Sequence, residues 1–167
     1  MRAALDRLYL FSGALAALFM IAIAVLILLS IVTRLLGTYV PGLSDYAGYT
    51  MAAASFLALG YTFGAGGHIR VNLVLGRVKG AARRALEIWC LGAGAGLSCY
   101  LAWFSIKMVL ISLELEDVSE GPDATPLWIP QTAMALGTSI LSIALIDRLV
   151  AVARGAPVDR VGPAVPE

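Results

Sequence analysis

The sequence contains few charged residues and none inside its long apolar runs. Charged residues make up 14% of the chain and hydrophobic residues 60%, whereas a soluble domain carries charge on about a quarter of its residues. This shortage excludes an ordinary soluble domain, because the remaining apolar surface has to face lipid or a partner. The net charge of +1 also argues against a nucleic-acid partner, which would require a strongly basic surface.

Histidine and cysteine are also scarce, which argues against two kinds of membrane enzyme. His68 is the single histidine, whereas a haem-bearing membrane anchor supplies two axial histidines. Cys90 and Cys99 form neither a CxxC pair nor a metal-binding pattern, so we interpret them as small apolar residues rather than as the paired thiols of a disulfide-generating enzyme.

Four long apolar runs contain no Asp, Glu, Lys, Arg or His: 8–33, 46–67, 88–106 and 124–146. A proton-coupled exporter would need a carboxylate in such a run. Each run is close to the roughly 20 residues that a helix needs to cross a hydrocarbon core about 30 Å thick. We predict an all-α membrane domain over residues 1–150, with four transmembrane helices at about 8–33, 46–67, 88–113 and 126–146. Residues 151–167, rich in Gly and Pro, are predicted to be a flexible cytoplasmic tail.

The basic residues predict the orientation of these helices, because Lys and Arg in short loops stay in the cytoplasm. Only Arg34 and Lys107 fall on one side of the membrane. The other ten share the opposite side: Arg2, Arg7, Arg70, Arg77, Lys79, Arg83, Arg84, Arg148, Arg154 and Arg160. We therefore predict that both termini, and the loop between the second and third helices, are cytoplasmic.

That basic loop also carries apolar residues at helical spacing: Val71, Val74, Leu75 and Val78. This pattern is typical of a short helix that lies in the headgroup layer. The alternative is a basic connector that serves topology alone.

Three short motifs occur in order along this four-helix pattern. Residues 66–73 read Gly-Gly-His-Ile-Arg-Val-Asn-Leu, Arg34 closes the first helix before Ser44-Asp45 opens the second, and residues 126–130 read Pro-Leu-Trp-Ile-Pro. Together they resemble the small permease subunit of tripartite ATP-independent periplasmic (TRAP) transporters. The resemblance runs from about Leu5 to Val150.

The resemblance implies a scaffold subunit, not an enzyme, in the bacterial inner membrane. Its partners would be a larger permease and a periplasmic substrate-binding protein. In that family a sodium gradient drives uptake of organic acids, often dicarboxylates or sialic acids, and the substrate and sodium sites lie in the large subunit. No cofactor is expected in this chain. The alternative is an independent four-helix membrane protein, such as an oligomeric channel or a membrane-embedded enzyme.

Two groups of residues are predicted to make contacts. The first would contact the large permease or phospholipid: Arg34, Asp45, His68, Arg70, Asn72, Gly92, Gly96 and Trp128. Gly92 and Gly96 form a small-xxx-small pair, which can let helices approach closely or can simply be common membrane composition. The second group would receive the binding protein: Glu114, Glu116, Asp117, Glu120 and Asp123. The alternative for this acidic segment is a solvated loop without a partner.

Overall fold

The part of the chain that the structure describes forms four α-helices. The computed structural model describes residues 2–38, 40–65, 81–122 and 124–155. Within these ranges the helices are α1 (Arg2–Leu35), α2 (Leu43–Gly64), α3 (Ala81–Glu114) and α4 (Trp128–Ala153). The described residues form no strand, only an isolated antiparallel bridge between Val118 and Pro126. The all-α prediction is confirmed.

Three of the four described helices are long and apolar enough to cross a membrane: Ala4–Leu35 of α1, Ala81–Glu114 of α3 and Trp128–Ala153 of α4. α2 is helical but has no apolar stretch of that length and hydropathy, because serine, threonine, tyrosine and glycine are interspersed among its alanines and leucines. A fourth membrane crossing, through α2, stays a prediction.

Helix ends differ from the apolar runs that predicted them. α1 begins at Arg2 rather than at residue 8, and α3 begins at Ala81 rather than at residue 88. The charge-free run predicts only the part of a helix that can lie in the hydrocarbon core of the membrane. Arginine and glutamate are themselves good helix formers, so the hydrogen-bonded helix continues through the charged residues that flank the run.

The other two helices also depart from the predicted bounds. α4 begins at Trp128 rather than at 126 and continues to Ala153, so residues 151–153 of the predicted tail are helical. α2 begins at Leu43 and ends at Gly64. The predicted interfacial helix and residues 156–167 lie outside the described residues.

The helices lie in a row in the order α1, α2, α4, α3. α2 packs against α1 on one side and α4 on the other, α3 packs against α4, and α1 touches α4 only marginally. In a closed four-helix ring, α1 would also pack extensively against α3. The described residues of these two helices make no such extensive contact. The two end helices expose much apolar surface, such as that of Leu18, Ile21, Leu97 and Trp103.

Small residues of α3 form a seam against α4. The buried residues recur at seven-residue spacing: Ser98, Ser105 and Ser112 in one row, and Ala95 and Ala102 in another. Residues spaced seven apart lie on the same side of a helix, so these two rows form one side that faces the neighbouring helix. The hydroxyls of Ser98 and Ser105 donate to carbonyls of their own helix, at 3.0 and 2.7 Å. Small, locally satisfied side chains let backbones approach closely where lipid supplies no hydrophobic driving force.

α2 and α4 meet through glycine. A Cβ added to Gly137 of α4 would overlap the backbone carbonyl of Phe56 in α2. A Cβ added to Gly60 of α2 would lie 2.5 Å from Cγ2 of Ile140 in α4. Glycine at these two positions therefore sets the separation of the two central helices.

α1 and α2 are joined by a buried hydrogen bond. The hydroxyl of Ser12, 1% exposed, donates to the carbonyl oxygen of Leu57 at 2.9 Å. The ring of Tyr61 covers Gly13, where an added Cβ would lie 2.6 Å from the ring.

Candidate functional site

The loop of residues 115–127, which we call the α3–α4 loop, is folded back on itself. The N–H of Ser119 donates to the carbonyl oxygen of Thr125 at 2.8 Å, and the N–H of Leu127 donates to that of Asp117 at 2.9 Å. Glu116 has a φ of 51°, a left-handed conformation that turns the chain just after α3. These hydrogen bonds fix the backbone that carries the carboxylates of the α3–α4 loop.

Side chains of α2 hold this loop in place. Tyr49 donates its hydroxyl hydrogen to Oγ of Ser119 at 2.7 Å, and the hydroxyl of Thr125 lies 3.4 Å from that of Tyr46. Gly121 lies against the first turn of α2, because a Cβ there would be 2.6 Å from Oδ2 of Asp45. The loop thus connects α3 and α4 to the N-terminal part of α2 through side-chain contacts.

Four of the five acidic residues predicted to receive the binding protein are described, and they lie in the α3–α4 loop or at the end of α3 that leads into it. Glu114, Glu116 and Glu120 are exposed and Asp117 is half-buried, while Asp123 lies outside the described residues. None of the four described carboxylates forms an ion pair with another described residue. The described ranges also contain no group of three or more His, Cys, Asp or Glu side chains that could hold a metal ion.

Arg34 and Asp45 flank the same connection but do not pair with each other. Arg34 is exposed in the last turn of α1. Asp45 lies in the first turn of α2, where a negative charge is favourable beside the unpaired N–H groups of a helix start, and its carboxylate faces Gly121.

Three of the remaining predicted contact residues lie in described helices: Gly92 and Gly96 in α3 and Trp128 in α4. Apart from adjoining residues of α3, no described residue comes within 4 Å of a Cβ placed at Gly92 or Gly96, so this pair joins no two helices of the described chain. Trp128 is the first residue of α4 and is 37% exposed. Three predicted residues lie outside the described ranges: His68, Arg70 and Asn72.

Four residues that hold the α3–α4 loop escaped prediction: Tyr46, Tyr49, Ser119 and Thr125. Two tyrosines three residues apart lie on the same side of a helix, and this spacing was the available signal. The burial of Glu87, 7% exposed, was also missed, because it lies just outside a charge-free run.

A family model matches most of the chain. The model described as "Tripartite ATP-independent periplasmic transporters, DctQ component" matches residues 23–155, which include the C-terminal part of α1 from residue 23 and all of α2, α3 and α4. The chain belongs to the DctQ family. This confirms the resemblance to the small TRAP permease subunit that three short motifs suggested. No curated protein and no solved structure matches this DctQ-family chain at a significant level.

Proposed function

We propose that this DctQ-family chain is a non-catalytic scaffold for the large permease of a TRAP transporter. With a periplasmic binding protein, the assembly takes up an organic acid of the dicarboxylate or sugar-acid class, driven by a sodium gradient. The observation that carries this proposal is the family match over residues 23–155. Substrate and sodium are expected to bind in the large permease, and no cofactor is expected in this chain.

The positions of the charged side chains support a scaffold role. Every Asp, Glu, Lys and Arg of the four helices lies within about two turns of a helix end, given 3.6 residues per turn. Those farthest from an end are Glu87 and Lys107 of α3 and Asp147 of α4. The middle of each helix therefore offers no charged group to bind a substrate anion or a cation.

The row of helices supports the same role. Because α2 and α4 have a neighbour on each side and α1 and α3 lie at the ends, the described helices form a layer with two broad faces. Such a layer can pack beside a neighbouring membrane protein and enlarge its cross-section in the plane of the bilayer. Gly92, Gly96 and Trp128 are proposed contacts with that neighbour or with phospholipid, together with His68, Arg70 and Asn72.

Reconstituted alone in liposomes, the chain should show no sodium-dependent uptake of dicarboxylates or sugar acids, because its helix centres carry no charged group. When co-expressed with the large permease of its transporter, it should co-purify with that subunit in mild detergent. Radiolabelled uptake with and without a sodium gradient, compared with empty liposomes, tests the first statement. Robust uptake by the isolated chain would place the substrate site within it and overturn the scaffold proposal.

We also propose four membrane crossings, with both termini in the cytoplasm of a bacterium. Activity reporters fused after Leu36 and after Val118 should then report the periplasm, and those fused after Arg84 and Arg154 the cytoplasm. The comparison of Leu36 with Arg84 tests α2, because those two fusions differ in side only if α2 crosses. Periplasmic signals after both Leu36 and Arg84 would contradict the second crossing, whereas a cytoplasmic signal after Leu36 with a periplasmic one after Arg84 would contradict the orientation.

The α3–α4 loop is proposed to receive the binding protein. Three exposed carboxylates, Glu114, Glu116 and Glu120, project from the end of α3 and from a backbone fixed by hydrogen bonds. Complementary charge on a partner speeds encounter and fixes orientation. The proposed topology puts this loop in the periplasm, where the binding protein is found.

A further inference from the structure

Arg34 lies between two shallow depressions at the C-terminal end of α1. One, of about 200 Å³, is lined by Ser30, Thr33, Arg34, Gly37, Thr38 and Val40. The other, of about 180 Å³, is lined by Ser30, Ile31, Arg34 and Leu35. Residues 30 and 34 form one row along the helix, since they are four apart, and the two depressions lie on opposite sides of that row.

The end of α1 does not use the Arg34 side chain. Gly37 adopts a left-handed φ of 71°, its N–H donates to the carbonyl oxygen of Arg34 at 3.2 Å, and the N–H of Thr38 donates to that of Thr33 at 3.0 Å. This pair of bonds is a Schellman motif, which satisfies the last carbonyls with backbone amides. The guanidinium of Arg34 makes no hydrogen bond or ion pair with another residue of the described chain, so no described residue occupies any of its five donors.

The two depressions differ in chemistry. On the polar side, the hydroxyls of Ser30 and Thr38 donate no hydrogen bond within the described residues. On the other side, the side chains of Ile31 and Leu35 are 50% and 81% exposed. A guanidinium thus separates a surface of hydrogen-bond donors from a hydrocarbon surface, at the end of the most exposed of the three span-length helices.

We infer that Arg34 binds the phosphate of a membrane phospholipid. The hydroxyls of Ser30 and Thr38 contact the headgroup, and an acyl chain lies along Ile31 and Leu35. A planar guanidinium matches two phosphate oxygens at once. A free phosphate would use the polar depression and leave the apolar one empty, so the presence of both favours a lipid. The inference rests on α1 crossing the membrane and not on the transport role.

Native mass spectrometry of the full chain in detergent can test this site, with phosphatidylglycerol as the probe. Arg34→Gln should weaken its binding about tenfold, the size expected for a lost charge-assisted hydrogen bond. Arg34→Lys should fall between the two, because lysine keeps the charge but loses the paired geometry. Lys107→Gln is the matched control, since it removes an exposed cation of α3 that lines neither depression.

Two further probes separate the sources of the phosphate. Diacylglycerol with the same acyl chains lacks the phosphate and should bind Arg34→Gln and the parent equally. Glycerol 3-phosphate lacks the chains and should bind more weakly than the lipid. Equal lipid binding by the parent and Arg34→Gln, or an equal loss in Lys107→Gln, would overturn the site. Glycerol 3-phosphate that binds as tightly as the lipid, and depends on Arg34, would show a free-anion site instead.

Discussion

Gly137→Ala should strongly destabilise the isolated chain. The added Cβ would overlap the backbone carbonyl of Phe56, and a backbone carbonyl inside α2 cannot rotate away as a side chain can. α2 and α4 would have to separate, and every contact along their length would loosen. Overpacking of this kind costs about 1–3 kcal/mol and occasionally more. A thermal unfolding midpoint in detergent, well below that of the parent, is the expected measurement.

Two other glycine substitutions are matched controls for this result. Gly92→Ala adds the same methyl group at a position where, apart from adjoining residues of α3, no described residue lies within 4 Å. It should be neutral or slightly stabilising, since alanine favours a helix by about 1 kcal/mol over glycine. Gly60→Ala should be intermediate, because it meets the movable Cγ2 of Ile140 at 2.5 Å. If Gly137→Ala and Gly92→Ala unfold at the same temperature, α2 and α4 do not approach as closely as described.

The existence of four helices was predictable because the absence of charge is a property of each segment alone. The order of the helices was not. It depends on pairs of residues far apart in the chain, such as Gly137 with Phe56 and Ser12 with Leu57. A glycine that lets two backbones meet and one that faces lipid look the same in a sequence. Gly92 and Gly96 match the small-residue pattern, yet they contact no described helix.

The buried side of α3 could have been predicted from the spacing of its serines, which an analysis of charged residues alone does not consider. Ser98, Ser105 and Ser112 recur every seven residues, and this spacing predicts one buried side of a helix. In a soluble bundle, a polar row marks the surface, whereas here it lies inside. The reason is that lipid, unlike water, gives a hydroxyl no partner, so these serines face a neighbouring helix, and the hydroxyls of Ser98 and Ser105 bond within their own helix.

The shape of the α3–α4 loop could not be derived from the sequence. Its acidic composition predicted an exposed segment, and Glu114, Glu116 and Glu120 are exposed. Its fold depends on Tyr49 and Ser119, which are 70 positions apart, and loop positions carry no periodic pattern to reveal such a pair. The composition predicted an acidic loop, and the structure shows that hydrogen bonds fix the backbone that carries these carboxylates.

Reversing the charge of the α3–α4 loop and of Glu114, which adjoins it, should slow uptake by the whole transporter. Glu114, Glu116 and Glu120 are exposed, so changing all three to lysine leaves the backbone bonds of the loop intact. If the binding protein presents a basic surface, attraction becomes repulsion. Steering by charge changes association rates by about 10- to 1,000-fold, so uptake at low binding-protein concentration and low salt should fall at least about tenfold. Uptake into proteoliposomes, titrated with the binding protein, measures this.

Three comparisons identify a docking defect. The loss should shrink as the binding protein is raised, because the change acts on encounter rather than on transport. It should also shrink as salt is raised, since the screening length falls from about 8 Å at 0.15 M to about 3 Å at 1 M. Tyr49→Phe, which removes the bond to Ser119 but no charge, should give a weaker defect with little dependence on salt. A triple variant that assembles with the large permease and transports like the parent at every concentration and at low salt would show that these carboxylates are only a solvated rim.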